Sequence, residues 1–160
     1  ERVVFDENVD EIYTKTTDGE IGILKNHVPI MTALDIGVTK AVKDNEPIYF
    51  TTMGGVLQFK DDEALILTTT AERGDEIDIA RAKEALSRAK ARLEDSEAEI
   101  DAKRAEASIA RAMARLKATL NSYLKNIRYF LISDVLVLPW IIFTDFPVIH
   151  FNQSSATFAI

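Results

Sequence analysis

Residues 1–75 alternate between short apolar runs and polar turns at close intervals. Three polar segments, Thr17–Glu20, Lys43–Glu46 and Lys60–Glu63, each separate two runs rich in Val, Ile, Leu or Phe. This spacing is typical of β-hairpins, and a lone hairpin cannot bury its apolar face. Gly54-Gly55 stands where a strand must bend or admit another backbone. The pattern predicts several short strands that close into a sandwich or barrel.

Residues 76–121 change to a helical period. Apolar residues at spacings of three and four predict one helix, with its seam at Ile79, Ala82, Leu86, Ala89 and Leu93. After the interruption Glu94-Asp95-Ser96, a second helix carries a stripe of Ile109, Met113, Leu116 and Leu120. Asp78 is well placed as the N-cap of the first helix. The short interruption predicts two antiparallel helices.

Small residues dominate the predicted hairpin. Alanine occupies 13 positions between residues 80 and 118. Alanine favours helix strongly, but it buries about three fewer carbons than leucine, each worth about 0.8 kcal/mol. The hairpin is either a thin helical appendage or a unit that can leave the body when a ligand or partner offsets the cost.

Residues 122–160 form a third segment, rich in Phe, Ile, Leu, Val and Tyr, without a sustained period. Its short apolar runs favour strands, so it is either a packed β extension or a non-native tail. The three predicted domains are therefore a β-sandwich at 1–75, a helical hairpin at 76–121 and an unassigned apolar tail at 122–160.

Composition excludes several chemistries. The chain has no cysteine and two histidines, His27 and His150, so disulfides and a cysteine- or histidine-based metal site are not expected. The longest uncharged apolar run, 135–144, is about half the length of a membrane span. No signal peptide is visible, so we expect a cytosolic chain, or one that meets a membrane through a partner.

The segments of the chain differ in their balance of charge. Residues 1–75 hold 7 Lys and Arg against 15 Asp and Glu, whereas residues 103–117 hold five basic residues against Glu106 alone. An acidic body with a basic arm predicts an anionic partner for the arm. A solvated helix face is the commoner explanation of such a charge run.

Three ordered motifs resemble those of ATP synthase epsilon subunits. Residues 18–29 resemble the family loop Gly-Glu-x-Gly-x-Leu-x-x-His-x-Pro. Gly54-Gly55-Val56-Leu57 is similar to the glycine pair before a late strand, and residues 71–78 are similar to the junction into the helical domain. The resemblance covers residues 1 to about 120. Family members usually begin with one more strand, and the family contains no counterpart of residues 122–160.

The resemblance implies a fold that is mainly β plus α: an N-terminal antiparallel β-sandwich followed by a C-terminal antiparallel helical hairpin. It implies a non-catalytic subunit of the proton-translocating F-type ATP synthase, located between the gamma subunit and the c-ring. Its hairpin would extend to the catalytic β subunits and block ATP hydrolysis. The chain would then be peripheral to the cell membrane or thylakoid membrane, through the complex alone.

A second resemblance to the family implies that ATP binds as a regulatory ligand, although no cofactor is required. Residues 77–82 match the Ile/Leu-Asp-x-x-Arg-Ala motif of ATP-binding family members, and 111–115 match their second-helix arginine pair. The candidate residues are Glu72, Ile77, Asp78, Arg81, Ala82, Arg111 and Arg115. Arginines four apart share a helix face, and a polyphosphate would relieve their repulsion. Alternatively, Asp78 is only an N-cap and the arginines are solvated charges.

Interface residues follow from the same resemblance. Glu20, His27 and Pro29 lie in the loop that the family places against the c-ring. Lys103 and Arg104 belong to the basic run that would meet acidic segments of the catalytic β subunits.

Two other classes of function remain open at this stage. One is a small β-barrel that binds nucleic acid, against which the acidic body argues. The other is an adaptor that uses the hairpin as an arm. The sequence shows no P-loop pattern, and no nucleophile triad or metal-ligand cluster stands out, so we do not expect an enzyme.

Overall fold

The computed structural model describes residues 3–95 and 99–133. In this part of the chain, six strands precede two helices. The strands are β1 (Glu11–Thr16), β2 (Gly19–Leu24), β3 (Ile30–Lys43), β4 (Glu46–Lys60), β5 (Glu63–Leu67) and β6 (Ala71–Arg73). The helices are α1 (Ile79–Glu94) and α2 (Glu99–Ser133).

The strands form one antiparallel sheet built around the long hairpin of β3 and β4. Its order is β2-β1-β3-β4-β5, and β6 also pairs with β4. The second half of β4 pairs with β5, and Phe50–Thr52 pairs with β6. Gly54 and Gly55 separate these halves with φ of +77° and +126°, a backbone that only glycine adopts readily. The glycine pair thus lets β4 change neighbours, as the sequence predicted for a bend.

The predicted hairpin turns are confirmed. Asp44-Asn45 and Asp61-Asp62 all have positive φ, between 52° and 65°. Two consecutive left-handed residues form the turn that matches the twist of paired strands, and Asp and Asn tolerate this backbone well.

The core of the sheet body is compact and aliphatic. Ile23, Leu34, Leu57 and Phe59 are buried together, with Leu57 fully inaccessible. Flanking isoleucines from β1, β2, β3 and β5 pack against this cluster. The sheet followed by an antiparallel helix pair confirms the predicted fold class.

The hairpin buries alanine rather than large residues. Ala82 and Ala89 are the buried residues of α1, as the predicted seam requires. On α2, however, the predicted stripe was wrong at Met113 and Leu120, which are 56% and 57% exposed. Helix α2 instead buries small residues on two sides, with Ala105, Ala112 and Thr119 on one and Ala114 and Ala118 on the other, where the Ala118 carbonyl lies against Gly74. Small residues let the two helix backbones approach closely, so the larger side chains turn outward.

Helix α2 is longer than predicted. It continues to Ser133, whereas the sequence favoured strands from residue 122. Residues 122–133 contain neither glycine nor proline, so nothing stops a helix that is already nucleated. The strand interpretation was therefore wrong for residues 122–133, and the rest of the predicted tail, 134–160, lies outside the described residues.

Candidate functional site

A cavity between the two helices gathers the arginines of the hairpin. Its volume is about 210 Å³. Four arginines line it, two from each helix, together with small residues: Arg88, Arg92, Arg111, Arg115, Ala85, Ala89, Ala112 and Ser108. Apart from Ser108, the other lining residues are alanines, so the guanidinium groups define the chemistry of the cavity. Guanidinium groups bind phosphate oxygens with paired, charge-assisted hydrogen bonds.

Arg115 joins this cavity to the sheet body. Its Nε and Nη2 donate to the two carboxylate oxygens of Glu72 in β6, at 2.7 and 2.9 Å. Both side chains are about one third exposed. This hydrogen bonding lowers the pKa of the Glu72 carboxyl below its ordinary value, while burial opposes the shift and Arg81 adds a weaker electrostatic effect. The bidentate pair is thus a direct tie between hairpin and body.

Arg111 is held by a neighbour on its own helix. Its Nη2 donates to Ser108 Oγ at 2.9 Å, and Ser108 donates to the Arg104 carbonyl oxygen. Arg88 forms an ion pair with Glu84 on α1. Two carboxylates, Glu72 and Glu84, therefore offset two of the four guanidinium charges, and the site retains a positive balance.

The remaining residues of the predicted ATP motif lie beside the cavity rather than in its lining. Asp78 is the N-cap of α1 and accepts a hydrogen bond from the Arg81 backbone nitrogen at 3.0 Å. Arg81 is exposed, Ile77 is half-buried and Ala82 is buried against α2. Glu72, near Arg81 and bonded to Arg115, connects this group of residues to the cavity.

Sequence reasoning missed Arg88 and Arg92. They stand four residues apart on α1, the same spacing that singled out Arg111 and Arg115 on α2. This repeated spacing was the available signal, and it was overlooked because only the motif-matched positions were considered.

Of the predicted loop residues, Glu20 belongs to β2, whereas His27 and Pro29 lie between β2 and β3. Glu20 is exposed on β2, and Pro29 is exposed just before β3. His27 is half-buried, with its ring edge-on to Phe59 and its Nδ1 2.7 Å from the Val28 carbonyl oxygen. Asp62 in the β4–β5 turn accepts from the Asn26 backbone nitrogen at 2.9 Å. The loop is therefore held by two contacts, one with Phe59 in β4 and one with Asp62 in the β4–β5 turn.

Exposed apolar side chains surround this loop. Leu24, Val28 and Met31 are 49%, 71% and 68% exposed. A cluster of this kind beside charged Glu20 and Lys25 marks a surface suited to a partner protein.

The predicted basic residues of α2 are exposed in the folded hairpin. Lys103 and Arg104 lie near the start of α2, and Arg104 forms an ion pair with Asp101 at 3.6 Å. They lie outside the residues that line the arginine cavity.

Two family models match the chain in succession. Residues 1–74 match the β-sandwich domain of the ATP synthase delta/epsilon chain, and residues 75–119 match its long α-helix domain. Together they cover more than half of the chain. The fold and the order of the two parts agree with this match.

Curated relatives and solved structures agree. The ATP synthase epsilon chain of Carboxydothermus hydrogenoformans is 43% identical over 93 residues, which are 58% of this chain and 69% of the relative. The epsilon chain of Acaryochloris marina is 39% identical over 97 residues, 61% of this chain and 70% of the relative.

A chain of the Euglena gracilis mitochondrial ATP synthase shares the fold, with TM-score 0.63 and 23% identity. The match covers 76% of this chain and 74% of that one. A second solved chain, from the central stalk and c-ring of the Tetrahymena thermophila mitochondrial ATP synthase, gives a TM-score of 0.52 at 17% identity. That match covers 69% of this chain and 82% of the other.

These matches favour the ATP synthase interpretation over the nucleic-acid and adaptor alternatives. The chain belongs to the ATP synthase delta/epsilon family, and within it to the epsilon chains, which are non-catalytic subunits of the F-type enzyme.

Proposed function

We propose that this chain works in the central stalk, where its sheet body couples c-ring rotation to the catalytic head and its hairpin regulates ATP hydrolysis. The observation that carries the proposal is the weak attachment of the hairpin. Its contact with the sheet runs through small residues, such as Ala118 against Gly74, and through partly exposed ion pairs such as Glu72–Arg115. Such an attachment favours two postures of similar free energy, between which ligands and partners choose.

We propose that the loop with Glu20, His27 and Pro29 is the surface that meets the c-ring. The surrounding apolar residues Leu24, Val28 and Met31 supply area to bury, and Glu20 supplies a charge that can pair with polar loops. The loop is held rigid by Asp62, so docking costs little conformational entropy.

A substitution in this loop tests the docking surface. Val28→Asp places a charge on a side chain that is 71% exposed, so the fold should tolerate it. We expect at least a tenfold loss of affinity for the c-ring, because a buried unpaired carboxylate disfavours the interface. Co-purification and a titration with purified c-ring measure it.

Val3→Asp is the matched control. Val3 is 75% exposed and precedes Phe5, whose ring contacts Phe50 in the other half of β4. Equal loss of affinity in both variants, or none in Val28→Asp, would contradict the assignment of the loop.

We propose that ATP is a regulatory ligand of the arginine cavity. A cavity of about 210 Å³ suits the triphosphate, and the nucleoside would lie toward Glu72, Ile77, Asp78, Arg81 and Ala82. Phosphate oxygens would bridge α1 and α2 through Arg88, Arg92, Arg111 and Arg115. Bound ATP would therefore hold the hairpin together and favour the uninhibited enzyme.

Titration of ATP into the isolated protein tests this proposal. We expect Arg111→Ala to weaken ATP binding at least tenfold, because a bidentate phosphate contact and the local positive charge are both lost. Arg81→Ala should also weaken ATP binding, but it should leave binding of inorganic tripolyphosphate nearly unchanged. Calorimetry and the amide signals of the hairpin provide two independent readouts.

Arg104→Ala is the matched control, since Arg104 is an exposed arginine of the same helix outside the cavity lining. Absence of any hairpin response at millimolar ATP would remove the nucleotide proposal. It would leave the stalk proposal intact.

We propose further that the extended hairpin presents Lys103 and Arg104 to acidic segments of the catalytic β subunits. Both residues are exposed in the folded state and belong to the basic run of α2. Contacts of this kind weaken as salt rises.

No helix of the described residues has both the length and the hydropathy to cross a bilayer. We propose that the chain meets the cell membrane or thylakoid membrane as a peripheral part of the complex.

A further inference from the structure

The stretch of α2 from residue 118 to residue 125 touches the sheet body at a second place. Ser122 and Lys125 follow residue 119, where the match to the helical family model ends. Lys125 Nζ lies 3.2 Å from a carboxylate oxygen of Glu46, at the start of β4. Lys125 is only 22% exposed and Glu46 is 49% exposed. This ion pair joins the second half of α2 to the start of β4, beside the β3–β4 turn.

The same turns of α2 rest directly on the junction that leads into α1. A Cβ built at Gly74 would lie 2.5 Å from Ser122 Oγ and 2.6 Å from the Ala118 carbonyl oxygen. Gly74 is itself fixed, because its nitrogen donates to the Tyr49 carbonyl oxygen in β4 at 2.8 Å. Only a residue without a side chain fits between helix and sheet at this point.

The surroundings of Lys125 strengthen the contact. Arg73, through a side-chain hydrogen bond, and Lys125, through its charge, lower the pKa of the Asp75 carboxyl at the junction. Lys125 thus pairs with Glu46 and lines one small cavity together with Asp75 and Ser122.

We propose that Glu46, Gly74, Ser122 and Lys125 form a clamp that holds the hairpin on the sheet body without nucleotide. Lys125 is ten residues from Arg115, about 15 Å along the helix, so the clamp does not share atoms with the arginine cavity. Release of the hairpin must break the clamp as well as the Glu72–Arg115 pair. Any effect of the clamp on ATP hydrolysis rests on the proposed inhibitory role of the hairpin. The contact between hairpin and sheet body does not depend on that role.

Fluorescence transfer in the full chain measures the clamp directly. The chain has no cysteine, so Glu20→Cys on the body and Met113→Cys on α2 introduce two labels at exposed positions. The ratio of released to folded hairpin is then measured in Glu46→Lys, in Lys125→Glu and in the double exchange, with no nucleotide present.

We expect each single reversal to raise this ratio by at least about fivefold, since it removes an attraction and adds a repulsion. The double exchange should return the ratio most of the way to the parent value. Asp35→Lys is the matched control, because it reverses one partner of the Lys15–Asp35 pair within the sheet body. The control should leave the ratio unchanged.

Gly74→Ala tests the steric half of the clamp and should raise the ratio at least tenfold. The clamp is overturned if both single reversals leave the ratio at the parent value, or if the double exchange releases the hairpin as fully as either reversal. A folded Gly74→Ala protein with an unreleased hairpin would overturn it too. The ATP titration is scored separately, so failure of nucleotide binding and failure of the clamp are distinguishable.

Discussion

Replacing Leu57 by alanine should lower the free energy of unfolding of the sheet body by about 3 kcal/mol. Leu57 is fully buried, and its neighbours Ile23, Leu34 and Phe59 come from three different strands. The substitution removes three carbons and leaves a cavity that paired strands cannot close. Thermal unfolding followed by circular dichroism should show a Tm lower by roughly 10–20 °C.

Leu65→Ala is the control for this prediction. Leu65 lies on the neighbouring strand β5 and is 52% exposed. We expect a change within about 0.5 kcal/mol, the usual range for surface substitutions. Similar losses in the two variants would show that the aliphatic cluster around Leu57 does not stabilise the body.

Glu72→Gln should lower the free energy of releasing the hairpin from the body by about 1 to 2 kcal/mol. The ratio of released to folded molecules then rises by a factor of about 5 to 30. Glutamine keeps the size of glutamate but loses the charge that accepts both Arg115 hydrogen bonds. The expected loss is kept at the low end for a charged hydrogen bond, because both side chains are about one third exposed. The two-label fluorescence measurement reports the ratio.

The same pair predicts a pH dependence. Because the folded-state pKa of Glu72 lies below its ordinary value of 4.5, its contribution is complete above pH 4.5 and is lost as pH falls through the folded pKa. The difference between the parent protein and Glu72→Gln should therefore be constant near neutral pH and vanish in acid. A difference that persists well below the folded pKa would show that the carboxylate charge is not what holds the hairpin.

The local features of this fold could be predicted from the sequence because short-range rules determine them. The acidic two-residue turns between β3, β4 and β5 follow from the tolerance of Asp and Asn for a left-handed backbone. The N-cap at Asp78 and the break after Glu94 likewise depend on neighbouring residues alone. The three motifs also sufficed to indicate the family.

Large residues misled the prediction of how α2 packs. Met113 and Leu120 suggested an apolar stripe, whereas the buried face consists mainly of alanine. A helical period shows which residues share a face, but only the partner surface decides whether that face is buried. Here the partners are another alanine-rich helix and the Gly74 junction of the sheet body, and close approach to both excludes long side chains.

The sequence by itself determined the hairpin turns, the caps, the two-part order of sheet and helices, and the family. Only the tertiary structure decided that Arg88 and Arg92 complete the arginine cavity, that Glu72 pairs with Arg115, and that Gly74 admits α2. Glu72 and Arg115, for example, are 43 positions apart in sequence. Turns and caps depend on neighbours along the chain, whereas such contacts depend on where the packed core places each backbone.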